Sequence, residues 1–228
     1  MKKYDVFLFD SDDTLYDFDK GSVHALKILF KECGFDYSEK VYAQYIIINA
    51  EVWKSYEKGE YTVTDVQLVR FARLFDAIGV QHDPQDFNAR YLYELGKSSI
   101  LVDGAPEICK KITASGKQIF VISNGILKTH EARMKYSPIE HYATDFFVPE
   151  KVGHKKPDKE FFEHVLSHIP NVAKDNILIV GDSLSADIAG GVNAGIDTCW
   201  FNYRGIQNTI GIMPTYTISK LNELENFI

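Results

Sequence analysis

The sequence predicts an α/β protein: a doubly wound parallel sheet of Rossmann-like type, with an α-helical domain inserted after the first strand. Four short apolar runs each lead into polar or acidic residues, and helix-sized stretches separate them. About eighty residues between the first and second runs carry helical periodicity and no strand run. Continuous apolar character, rather than alternation, indicates strands buried on both faces, as in a parallel sheet.

The first run is Val6-Phe7-Leu8-Phe9, ended by Asp10-Ser11-Asp12-Asp13-Thr14. In the insert, Val23, Leu26, Phe30 and Cys33 share one helical spacing, and Tyr42, Tyr45, Ile46, Asn49 and Trp53 share another. A third set, Leu68, Phe71, Ala72, Phe75 and Ile78, follows Thr64-x-x-Gln67, which reads as a capping box. The second run, Ile119–Ile122, leads into Ser123-Asn124-Gly125, and the third, Ile177–Val180, into Gly181-Asp182-Ser183. The fourth, Thr198–Phe201, ends at Asn202. Phe161, Val165, Leu166 and Ile169 mark a helix after Pro157-Asp158. The small residues Ala189, Gly190, Gly191, Ala194 and Gly195 suit close helix–sheet packing, with Gly195 ending that helix. The expected domains are a core of residues 1–18 and 98–228 and a helical cap of residues 19–97, standing over the strand ends.

Of the 228 residues, 25 are Lys or Arg and 32 Asp or Glu, a net charge of −7. That balance argues against tracking a nucleic-acid backbone, which needs a cationic surface to displace counterions. A small anionic substrate stays open, since a few local cations or a metal can hold it. The three cysteines, Cys33, Cys109 and Cys199, have no zinc-ligand spacing and suit a reducing compartment. Val6–Phe9 is too short for a signal core or a membrane span, so a cytoplasmic location without a membrane partner is expected.

In open parallel sheets ligands bind at the carboxyl ends of the strands, where the polar groups of this sequence gather. Each group also has a plain structural reading. Asp10 and Asp12 can be solvated acids, and can face one ligand only if the chain bends there. Ser123 and Asn124 can be turn formers, Lys156 a surface charge, and Asp182 and Asp187 a loop and a helix cap. Four such coincidences in one sheet point instead to a site. Asp10, Asp12 and Asp182, with Asp187, form an all-oxygen donor set that suits Mg²⁺ and repels itself without a cation. Lys156, the Ser123 hydroxyl and backbone N–H groups of Ser11 to Asp13 would cradle phosphoryl oxygens.

The order DxDxT (Asp10–Thr14), Ser123, Lys156-Pro157 and GDxxxxD (Gly181–Asp187) resembles the haloacid dehalogenase-like hydrolase superfamily. The helical insert resembles its C1-type cap. The resemblance implies Asp10 as a nucleophile that forms an aspartyl-phosphate, and Asp12 as the acid and then the base. It implies Ser123 and Lys156 as phosphoryl holders. Mg²⁺ would be bound by the Asp10 carboxylate, the Asp12 carbonyl and Asp182, with Asp187 acting directly or through water. An acid at position 12 serves an alkoxide leaving group, which a dehalogenase does not need.

Asn49-x-x-x-Trp53-x-x-Tyr56-Glu57-Lys58-Gly59, Arg70-Phe71, Asp197–Asn202 and Pro214-Thr215-Tyr216-x-Ile218 further resemble the bacterial pyrimidine 5′-nucleotidase-like branch. Substrate contacts are then expected from Asn124, Asn49, Trp53 and Arg70, with Glu57-Lys58-Gly59 a loop dipping toward the substrate. Trp53 and Phe71 equally suit cap packing, and Arg70 a structural salt bridge. Ser11 departs from the pattern, where larger or apolar residues are common, and so does Met134–Pro138. The expected function is a Mg²⁺-dependent 5′-nucleotidase on small nucleoside monophosphates. A broad sugar-phosphate or housecleaning phosphatase is the alternative, and a catalytically silent binding protein on the same fold the further one. A signalling receiver would lack both the helical insert and an acid at position 12.

Overall fold

The computed structural model describes residues 2–228. In chain order its elements are β1 (Val6–Asp10), α1 (Phe18–Cys33), α2 (Glu39–Glu57), α3 (Val63–Ile78), α4 (Pro84–Ser98), α5 (Ala105–Ala114), β2 (Gln118–Ile122), α6 (Leu127–Tyr136), β3 (Ala143–Phe147), α7 (Pro149–Val152), α8 (Lys159–Ser167), β4 (Ile177–Gly181), α9 (Ala189–Ala194), β5 (Asp197–Phe201) and β6 (Tyr216–Ile218). The chain divides into two compact units, Asp19–Ser98 and the remainder.

The larger unit holds one sheet of order β3-β2-β1-β4-β5-β6, parallel at every pairing. Alternate residues of the central strands feed two cores, which is why those strands read as unbroken apolar runs. Phe7, Phe9, Val121, Leu178 and Val180 pack with Ile108 and Ile112 of α5 and with Leu221, Leu224 and Phe227 near the C-terminus. Val6, Leu8, Phe120, Ile122, Ile177 and Ile179 pack on the other face with Phe161, Phe162 and Val165 of α8. Two strands escape the sequence reading, β3 and β6, and both are sheet edges. Only Phe147 is buried in β3 and only Ile218 in the three-residue β6, so neither carries a long apolar run.

The glycines after β4 do pack closely. A Cβ on Gly190 would lie 2.2 Å from the Phe162 ring, and one on Gly191 2.3 Å from Thr198 Cγ2. Gly195 ends α9 in the left-handed conformation.

The smaller unit is four helices around an aromatic centre. The Phe71 ring lies 4.8 Å from Phe87 and 5.1 Å from Tyr91, and Tyr45 Oη donates to Tyr91 Oη at 2.7 Å. The capping box of α3 is not Thr64 and Gln67 but Thr62 and Asp65: Asp65 N donates to Thr62 Oγ1 at 3.2 Å, and Thr62 N to Asp65 Oδ2 at 2.7 Å. An acid at the third position serves the box as well as the glutamine sought two residues later. No helix among the described residues is long and apolar enough to cross a membrane.

Candidate active site

β1 delivers Asp10 at its last residue, and the chain then bends. Asp13 takes a left-handed φ of +60°, while Leu15 N and Tyr16 N both donate to Ser11 O at 2.9 Å. This is the bend needed for Asp10 and Asp12 to belong to one site. The Asp13 N–H, expected in a phosphoryl cradle, instead donates to Tyr16 O at 2.7 Å.

Lys156 is 2 % exposed and joins three segments. Its Nζ donates to Asp10 Oδ1 at 2.6 Å, Asp187 Oδ1 at 2.7 Å and Ile122 O at 3.1 Å, using all three ammonium hydrogens. Burial opposes its charge, but Asp10 and Asp187 outweigh that and raise its pKa. Asp187 is fully buried, with its second oxygen accepting from Ser183 N at 3.1 Å. Gly181 makes that placement possible, since a Cβ there would lie 2.2 Å from Asp187 Oδ2.

Asp10, Asp182 and Asp187 each bring a carboxylate oxygen within 4.8 Å of the other two. One lysine among three carboxylates leaves negative charge in excess. Burial pushes the Asp10 pKa up to about 7, with Asp187 and Asp12 adding to the rise and Lys156 opposing it. Burial and the neighbouring Asp10 and Asp187 likewise raise Asp182. An all-oxygen donor set with uncompensated charge fits a hard divalent cation such as Mg²⁺. The Asp12 carboxylate is not part of this trio.

Asp12 is held by a residue that the sequence reading missed. Arg133 of α6 donates from Nη2 to Asp12 Oδ1 at 2.5 Å and from Nη1 to Ser11 Oγ at 2.9 Å. Burial works against the Asp12 charge, yet Arg133 and the site's other positive charges overcome it and lower the pKa. The buried residues of α6 are Thr129, His130 and Arg133, all polar. A helix directly after the Ser123 loop with a polar buried face and no apolar stripe was the available signal.

Ser123 is buried, and its Oγ accepts from Gly125 N at 2.9 Å. Asn124 was expected on the substrate. Its amide clamps the Lys156 backbone, Oδ1 accepting from Lys156 N and Nδ2 donating to Lys156 O, both at 2.8 Å. Trp200 Nε1 donates to Asp182 O at 2.9 Å and fixes the loop after β4.

In the helical unit, Arg70 was expected to touch a nucleotide or form a salt bridge. Its guanidinium is enclosed, 2 % exposed, and donates to Asn88 Oδ1 at 2.5 and 3.1 Å and to Asn49 Oδ1 at 3.5 Å. It lies over the rings of Phe71 and Tyr91, 5.1 and 4.9 Å from their centroids, which offsets the missing carboxylate. Trp53 is half-buried and edge-on to Tyr56 at 5.4 Å.

Residues 7–201 match the family described as haloacid dehalogenase-like hydrolase. Over 228 residues the chain is 36 % identical to the HAD-hydrolase YfnB of Bacillus subtilis, covering all of this chain and 97 % of that one. It superposes on the crystal structure of magnesium-bound YfnB with a TM-score of 0.91, covering 99 % and 98 % of the two chains. It is also 32 % identical to the pyrimidine 5′-nucleotidase PynA of Streptococcus pneumoniae, covering 97 % and 93 % of the two chains. Identity to the pyrimidine 5′-nucleotidase YjjG of Escherichia coli is 30 %, covering 99 % and 98 %.

Proposed function

Because the chain belongs to the haloacid dehalogenase-like hydrolases, we propose that it is a Mg²⁺-dependent phosphomonoesterase acting through an aspartyl-phosphate, with pyrimidine nucleoside 5′-monophosphates as its substrates. One observation carries the chemistry: the Lys156 ammonium sits between Asp10 and Asp187, with Asp182 beside them, and also donates to Ile122 O at the end of β2, so four separate segments meet. Lys156 holds Asp10 Oδ1 and leaves Oδ2 as the attacking atom. Asp12 rests as a carboxylate beside Arg133 and takes up the proton that a monoanionic phosphate ester brings with it. An Oδ2–P bond then forms as the P–O bond of the ester breaks, and Asp12 passes that proton to the leaving alkoxide. Asp12 then takes a proton from water. The water oxygen attacks phosphorus, Oδ2 leaves, and inorganic phosphate departs.

Asp10, Asp182 and the Asp12 carbonyl would hold Mg²⁺, with Asp187 bracing Lys156. When bound, the cation offsets charge on the transferring phosphoryl group. The Ser123 hydroxyl is free to donate to that group, whereas Lys156, expected to hold it, has its three hydrogens engaged and acts on it as a nearby positive charge. The pyrimidine preference rests on the named activities of PynA and YjjG, with Asn49 and Trp53 the candidates for contact with the base. Arg70 has only donors, so Asn49 presents its Oδ1 to Arg70.

A panel of phosphomonoesters ranked by kcat/KM tests this, because that ratio compares transition-state binding between substrates. Pyrimidine monophosphates should lead purine and sugar phosphates. EDTA should abolish turnover and added Mg²⁺ restore it. Activity insensitive to chelation would refute the metal site, and a sugar phosphate at the head of the ranking would refute the specificity.

A further inference from the structure

The Arg133 guanidinium is a buried group near the reacting atoms that the chemistry above does not use. It is 2 % exposed, lies 4.3 Å from the Tyr16 ring centroid, and divides its donors between Asp12 Oδ1 and Ser11 Oγ. The Asp12 side chain keeps about a third of its surface, while that of Arg133 is almost fully covered. The anchor is therefore the arginine, and the tethered group is the carboxylate. Asp12 Oδ2 lies on the side of the Ser123–Gly125 loop: a Cβ on Gly125 would stand 3.5 Å from Asp12 Oδ2 and 3.0 Å from Ser123 Oγ.

We propose that Arg133 is a positioning residue, which grips one oxygen of Asp12 so that the other alone faces the leaving group and the attacking water. Ser11 is its second anchor. A carboxylate on a short side chain at a bend has several rotamers within reach, and a proton donor even 1 Å out of line loses much of its advantage. A guanidinium fork fixes both distance and direction, as a lysine ammonium does not. This also gives Ser11 a purpose. An apolar residue there could pack under the loop but would leave Nη1 of Arg133 without its acceptor. The inference rests on the reading of Asp12 as acid and base.

The test is a double-mutant cycle on Arg133→Met, Arg133→Lys and Ser11→Ala, each made in the wild-type and Asp12→Asn backgrounds. Both kcat and KM are read with a nucleoside 5′-monophosphate, and phosphoenzyme formation is read with para-nitrophenyl phosphate. In the wild-type background Arg133→Met should lower kcat by about 10- to 100-fold, a large part of what a general acid–base group supplies, with KM changed by less than about threefold. Arg133→Lys should recover part of that loss, and Ser11→Ala should cost several-fold. In the Asp12→Asn background the same changes should cost less than about twofold, because residues acting through one group are not additive.

Equal losses in both backgrounds, or losses confined to KM, would overturn the inference. If Arg133→Met does not fold, Ser11→Ala removes one hydroxyl and carries the same cycle alone. A wild-type protein inactive on every ester overturns the phosphomonoesterase reading and this inference with it. An active one with additive losses overturns this inference alone.

Discussion

Lys156 shows how much one side chain settles here. With three hydrogen bonds to three segments and two carboxylates as partners, it is both the orienter of Asp10 and the main local counter-charge. Lys156→Met should lower kcat for para-nitrophenyl phosphate by on the order of 10²- to 10³-fold, as loss of a pre-set electrostatic donor does. It should also cost about 3 kcal/mol in urea unfolding without metal, because two buried carboxylates lose their partner. Unchanged kcat would remove Lys156 from the site. Asp10, Asp12, Ser123, Lys156 and Asp182 were legible because each lies at or just beyond an apolar run or a proline-marked helix start. Arg133 was not legible, because its partners Ser11 and Asp12 are more than a hundred residues away, and only the folded chain brings α6 beneath the β1 bend. Which partners a buried polar group finds is a tertiary fact: Asn124 pairs with the Lys156 backbone, and Arg70 donates to two asparagines.

At the scale of elements, legibility followed burial. Strands at the centre of the sheet, covered on both faces, announced themselves as unbroken runs, whereas the edges β3 and β6 did not. Edge strands need only one covered face and short length, so their sequences blend into loops. The glycines of α9 were read as packing residues, and the structure gives the distances that test them. Gly190→Ala would force a methyl into the Phe162 ring. Overpacking of this kind costs about 1–3 kcal/mol, and the better helix propensity of alanine returns about 1 kcal/mol. An approach of 2.2 Å puts the cost at the top of that range, so the variant should be about 2 kcal/mol less stable in urea unfolding, with KM unchanged. Equal or greater stability would mean that α8 and α9 separate at little cost.

At the scale of the whole molecule, the fold's contribution is convergence. A parallel sheet points every carboxyl end the same way, so Asp10 after β1, Ser123 after β2 and Asp182 after β4 gather without any local sequence forcing it. The helical unit was legible as a long stretch of 3.6-residue periodicity without a strand, and its bounds in the structure are Asp19–Ser98. Its capping residues were misplaced by two positions, since several polar residues cluster at the start of α3 and only the backbone hydrogen bonds select among them. The central claim is that this convergence makes Asp10 a nucleophile toward phosphorus. Its most direct test is mass spectrometry of the Asp12→Asn variant, quenched in acid after mixing with para-nitrophenyl phosphate and Mg²⁺. The variant should accumulate one phosphoryl group on the peptide that contains Asp10, and Asp10→Asn should accumulate none. A phosphoryl group on another residue, or none in a variant that still releases para-nitrophenol, would contradict the account.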